Sequence, residues 1–249
     1  MKKNAPYKLL LLLWVLVIHT SCEKGAFFNA GETVIREVLL EHNISTIEVN
    51  SMFEVTLVQD TINKAVVTCG ENLQPDINIF IKDDILHLNN TLKYSWSRSY
   101  EKIKLELHLI SIPQINVREP ANITTRDTFK TNEFFLIDWG LFTELDVTLD
   151  VNNCAIDLSS DDFGHYTVRG KAVSATFNGK GSSFIYANEL QVQNCTVKQI
   201  SIGDIYINVS NELRVSLLSS GNVYYRGNPN KIVIDKLSSS GKLIHVTGD

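Results

Sequence analysis

No apolar stretch in the chain is long enough to cross a bilayer. The longest, Leu9 to Ile18, has ten residues, against the roughly 20 that a membrane helix needs. Positive charge is also scarce: the formal net charge is −5, and no stripe of Lys and Arg appears, which excludes nucleic acid as a partner. Cysteine is rare, four in 249 residues. Cys69, Cys154 and Cys195 have neither a C-x-x-C neighbour nor a local histidine, so metal and redox chemistry have no ligand set and no cofactor is expected. H-E-x-x-H, G-x-S-x-G and the phosphate-loop pattern are all missing. Beyond residue 22 no segment shows a 3.6-residue apolar period, which excludes a helical fold.

What is present begins with an address. Lys2, Lys3 and Lys8 precede the Leu9–Ile18 run, which ends in His19-Thr20-Ser21-Cys22. A short apolar run with a basic front is a secretory signal. A cysteine just after a small residue at its end resembles the lipobox of bacterial lipoproteins, with His19 standing where an aliphatic residue is usual. That resemblance implies a signal peptide over residues 1–21, acylation of Cys22, a lipidated tether over 22–42, and a cell-envelope location on the outer membrane. Three cysteines then remain. Cys154 and Cys195 are 41 residues apart, about two turns of the repeat described next, which leaves two readings: one disulfide between nearby columns, or three buried thiols packing as small apolar groups.

The rest of the chain alternates apolar and polar residues, as in Thr46 to Val49, Phe53 to Val58 and Lys102 to Leu109, the period of half-buried strands. From Phe184 one pattern recurs: a small residue, a polar residue, an apolar pair and a polar turn. Its anchors, Phe184, Ile205, Val223 and Leu243, return after 21, 18 and 20 residues. A step near 20 marks a stacked solenoid, whose core forms only by stacking. The glycines Gly203, Gly221 and Gly241 mark its corners, where a missing Cβ permits either positive φ or close backbone approach. The expected fold is all-β: a β-rich section over residues 43–118, then solenoid rungs over 119–249.

Particular residues carry a family resemblance. Ile44 to Val49, Phe53 to Leu57, Gly70 to Leu73 and the closing Ser219-Ser220-Gly221-Asn222-Val223-Tyr224-Tyr225-Arg226-Gly227-Asn228-Pro229 resemble the bacterial head GIN family of auto-transporter adhesin-like domains. The resemblance implies a right-handed parallel β-helix-like solenoid and an exported, often lipidated protein of Bacteroidetes; it brings no catalytic residues with it.

Three functional readings follow. In the first the protein is a non-catalytic adhesin or scaffold that binds glycan or an envelope protein. Its candidate site is Tyr94, Trp96, Arg98 and Tyr100, which share one face of an extended chain; the alternative for these rings is packing onto a neighbouring sheet. In the second it is a polysaccharide lyase or glycosidase, which needs carboxylates projecting together from adjacent rungs. The column after the corner glycines holds Asp204, Asn222 and Lys242, with Ser183 a rung earlier, and these are not stacked acids. Asp161, Asp162 and His165 form the one carboxylate–histidine group, and a solvated turn accounts for them. In the third the solenoid end, with last strand Lys242 to Val246, takes up a further strand or a second copy.

Overall fold

The computed structural model describes residues 30–92, 103–159 and 162–247. These are nearly all β and form a β-solenoid of about six turns. The chain opens with β1 (Thr33–Leu39), β2 (Thr46–Val49), β3 (Glu54–Gln59) and β4 (Lys64–Gly70), then a short 3-10 turn over Glu71–Asp76. It continues through β5 (Ile77–Lys82), β6 (Ile85–Asn90), β7 (Lys104–Leu109), β8 (Gln114–Val117), β9 (Asn122–Thr125), β10 (Phe129–Lys130) and β11 (Glu133–Asp138). Four long strands follow, β12 (Glu144–Leu158), β13 (His165–Gly179), β14 (Phe184–Gln199) and β15 (Ile205–Leu217). The chain closes with β16 (Val223–Arg226), β17 (Lys231–Leu237) and β18 (Leu243–His245).

Each turn of the coil consists of two strand segments joined at a corner. From β8 onward the turns stack in sequence order, all parallel: β11 lies on β8, β12 on β9 and β11, and β13, β14 and β15 follow in register. The segments 145–149 and 154–158, on either side of a bend, are halves of one 15-residue strand, β12. The chain bends there without losing its ladder. A line of asparagines spans several bends: Asn152 Nδ2 donates to Asn132 Oδ1 at 2.6 Å, Asn211 to Asn194 at 2.8 Å and Asn230 to Asn211 at 3.1 Å. Amide side chains stacked at a strand spacing of about 4.8 Å can hydrogen-bond to the next copy in the same way as the backbone does.

The N-terminal section belongs to the same stack but in a different order. β2 and β3 are held between β6 and β7 on one side and β8 and β9 on the other, so the chain steps back and then forward past its own first turn. β4 runs antiparallel to both β1 and β7, and β5 antiparallel to β6. Among the described residues the first strand, β1, lies within the stretch the sequence suggests as tether, and parallel stacking starts well before residue 119. The core is the inward face of every turn, an unbroken column from Ile47 and Val55 through Phe134, Phe177 and Ile205 to Val223, each 3% exposed or less. Cys154 and Cys195 sit in that column with Ala175 between them. Two strand spacings, about 9.6 Å, exceed the reach of a disulfide, and Cys69, Cys154 and Cys195 are free and buried.

Candidate functional site

Of the residues singled out in the sequence, Cys22, Tyr94, Trp96, Arg98, Tyr100 and Asp161 lie outside the described residues. β2 with β3, and β8 with β9, are the two halves of successive turns, and a corner joins the halves of each. This corner is formed by residues 50–53, 118–121, 139–143, 162–164, 180–183 and 200–204.

The local chemistry of this column is a tripeptide with an acceptor first and glycine third. Asp138 Oδ1 accepts from Gly140 N and Asp162 Oδ1 from Gly164 N, both at 2.6 Å, and Ser201 Oγ accepts from Gly203 N at 2.9 Å. Such a bond closes a tight turn by replacing a backbone acceptor. The first side chain turns inward, so the middle residue is pushed out. Those middle residues are Trp139, Phe163 and Ile202, 41%, 50% and 63% exposed. Leu141 and Phe142 add to them, and Met52 occupies the same corner nearer the N-terminal end, all exposed. Phe142 and Phe163 stack across adjacent turns with centroids 5.5 Å apart. The Arg118 guanidinium lies 3.9 Å over the Trp139 ring and its Nη2 is 3.4 Å from Glu48. The result is an apolar, aromatic edge along one corner of the coil, with a cation at Trp139.

Beneath the edge sits a polar group that sequence reasoning placed in solvent. Asp162 is fully buried, as is Asp138, and Tyr166 Oη lies 2.8 Å from Asp138 Oδ2 and 2.6 Å from Asp162 Oδ2. Asp162 is thus no part of a solvated turn: its carboxyl points into the coil because Gly164 N and Tyr166 Oη are its partners. His165 points the other way, to Glu144 at 3.0 Å. One phenol has one proton to give, and two close O···O contacts need two. A proton on one carboxyl of the pair makes both contacts hydrogen bonds, and the pKa of Asp138 is pushed up to about 6, first by burial. Burial likewise raises Asp162. The pair is sealed under the corner, with no solvent-facing oxygen to meet a substrate.

Two other columns are structural. Rings of Phe184, Tyr186, Tyr206 and Tyr224 stack in sequence, with Tyr206 and Tyr224 only 4.8 Å apart. The inner rings of the column, Tyr186 and Tyr206, have ring neighbours on both sides, so their faces are taken up within the stack. In the column after the corner glycines, Asn222 N donates to Asp204 Oδ1 at 2.7 Å and Lys242 N to Asn222 Oδ1 at 3.1 Å, an inter-turn lacing. Among the described residues no cluster of three or more His, Cys, Asp or Glu has the geometry to hold a metal ion, and no helix is long and apolar enough to cross a membrane. The edge residues Trp139, Phe142 and Phe163 went unremarked in the sequence. The signal for Trp139 and Phe163 is a bulky apolar residue in the middle of an Asp-x-Gly turn, 24 residues apart in two successive turns; Phe142 has no such mark.

These features define a class: a β-solenoid with a continuous apolar core, long parallel turns and an aromatic corner. The chain belongs to the family described as "Putative auto-transporter adhesin, head GIN domain", which matches residues 43–229. Among solved structures it is similar to a "putative adhesin" from Bacteroides fragilis NCTC 9343, at 17% identity over 86% of this chain and 97% of that one, with a TM-score of 0.76. A "putative adhesin" from Parabacteroides merdae ATCC 43184 is 15% identical over 87% and 97%, with a TM-score of 0.62. A "Putative lipid binding protein" from Parabacteroides distasonis ATCC 8503 is 18% identical over 87% and 98%, with a TM-score of 0.57. At such identities the likeness is one of fold. No curated protein matches the chain.

Proposed function

We propose that the protein is an exported, non-catalytic binding domain of the cell envelope, anchored by a lipid on Cys22, and that it takes its ligand along the aromatic corner edge. The observation that carries the reading is the gathering of Met52, Trp139, Leu141, Phe142, Phe163 and Ile202 on one corner; the candidates from the sequence, Tyr94, Trp96, Arg98 and Tyr100, are carried into the test as a second candidate site. Exposed aromatic rings beside a guanidinium suit the C–H faces of sugar rings or an apolar protein surface, so the partner class is a glycan or an envelope protein. The adhesin descriptions of the family and of its structural neighbours support the binding role. Against a lyase or glycosidase stands the burial of Asp138 and Asp162, a close pair of carboxylates among the described residues of this corner.

The test is a binding screen on glycans, purified envelope proteins and phospholipid vesicles, with two variants beside the parent: Trp139→Ala/Phe142→Ala/Phe163→Ala and Tyr94→Ala/Trp96→Ala/Tyr100→Ala. Loss in both variants supports one continuous edge. Loss in the second alone confines the site to segment 93–102, and binding that survives in both removes the corner as the site. Metabolic labelling with an alkynyl fatty acid, in the parent and in Cys22→Ser, tests the anchor separately.

A further inference from the structure

The two ends of the coil are built differently. At the N-terminal end the last strands reverse direction, β1 on β4 and β5 on β6. Arg36, on the inward face of β1, donates from Nη2 to the Ile77 carbonyl at 2.9 Å. A charged group across the core mouth and antiparallel covering strands are the usual protection of a sheet edge. Among the described residues the C-terminal end has neither. β17 pairs with β15, and its inward residues continue three buried columns: Leu213 to Ile232, Val215 to Ile234 and Leu217 to Leu237. Exposure along those columns rises from 0%, 0% and 1% on β15 to 42%, 51% and 62% on β17. No inward charge and no proline interrupts this strand, and among the described residues nothing pairs with its far edge. A bulge at Asp235 ends the regular segment Lys231–Ile234, and β18 stacks on the neighbouring β16.

We propose that β17 pairs antiparallel with β17 of a second copy, about a two-fold axis at Val233, joining two coils end to end. The sequence Lys231-Ile232-Val233-Ile234-Asp235 is self-complementary in this register and in no neighbouring one. Residues directly opposite share a face, so Ile232 meets Ile234 of the second copy on the inward face. Lys231 meets Asp235 of the second copy on the outer face. Within one copy Lys231 Nζ is 3.3 Å from Glu212 and Arg214 Nη2 is 2.6 Å from Asp235. The pairing extends that alternation across the seam: Glu212, Lys231, then Asp235 and Arg214 of the second copy. A register shifted by one residue about Ile234 sets Lys236 against Ile232 instead. A two-fold axis makes the contact isologous and closed, which stops growth at the dimer. The pairing is independent of the lipid anchor and of the ligand edge.

The test uses the full chain in expressing cells, with Val233→Cys and mild oxidation by copper phenanthroline. At the axis the two introduced thiols are opposite one another, with Cα atoms roughly 4.5–5.5 Å apart, within disulfide reach. Cys69, Cys154 and Cys195 are buried, and the unsubstituted chain controls for Cys22. Val233→Cys should give about tenfold more disulfide dimer than Lys231→Cys, whose thiols lie roughly 14 Å apart in this register. Co-expressed Lys231→Cys and Asp235→Cys chains should link to each other. Adding Ile234→Lys to Val233→Cys should remove the dimer, with amide protection of β13 showing that the fold persists. Absence of a Val233→Cys dimer, or equal yields at positions 231 and 233, overturns the proposal.

Discussion

Tyr166 with Asp138 and Asp162 shows what one hydroxyl can decide. The pKa of Asp138 stands at about 6 because burial penalises its charge, with the Asp162 charge adding to the effect. In the unfolded chain it returns to about 3.9. A raised carboxyl stabilises the fold fully below the unfolded value and loses that contribution as pH rises through the folded one. Asn at position 138 copies the neutral acid: its oxygen accepts from Gly140 N and its amide donates to Tyr166. Asp138→Asn should therefore match the parent at pH 4 and exceed it by about 2–3 kcal/mol at pH 8, read as Tm against pH. Tyr166→Phe removes the shared proton from two buried oxygens and should cost about 1–3 kcal/mol, measured by chemical denaturation at pH 7. The Asp-x-Gly turns were legible as turns in the sequence. That two of them, 24 residues apart, point their carboxyls at one phenol was not, because this depends on which residues parallel stacking sets side by side.

The corner glycines illustrate the scale of the element. Of the two uses a missing Cβ permits, Gly203, Gly221 and Gly241 use close approach: their φ values are not among the positive ones. A Cβ on Gly221 would lie 2.1 Å from the Gly203 carbonyl oxygen, and one on Gly241 2.3 Å from that of Gly221. The obstacle is backbone of the turn below, which cannot swing aside. Gly221→Ala should therefore destabilise by about 1–3 kcal/mol through overpacking, whereas Ser220→Ala, in the middle position of the same tripeptide, should be near neutral; thermal unfolding of both variants checks the contrast. The step near 20 and its glycines could be read directly, since each turn must reach the same corner before it can stack. The bends inside β12 to β15 could not, because a strand that curves without breaking its ladder needs no turn residue to mark it.

At the scale of the molecule, stability in a stacked coil is a sum of neighbouring contacts, so protection should be greatest in the middle. Amide exchange should be slowest in β13 and β14, which have partners on both sides, and faster in β16 and β18. Exchange of β17 should slow as protein concentration rises, since end-to-end pairing covers its free edge; a rate independent of concentration counts against the dimer. Mass-resolved exchange at two concentrations measures both.

What the sequence by itself determined was the architecture: strands from alternation, a coil from the recurring step, close-packed corners from the glycines, and the family from its closing motif. These are properties of contiguous residues, and local chemistry is enough to impose them. Only the tertiary structure decided that β6 and β7 lie beneath β2 and β3, that Asp138 and Asp162 turn inward, and that Met52, Trp139, Phe142 and Phe163 share an edge. Each of those rests on register between strands distant in the chain, and a shift of one residue would send every side chain to the opposite face.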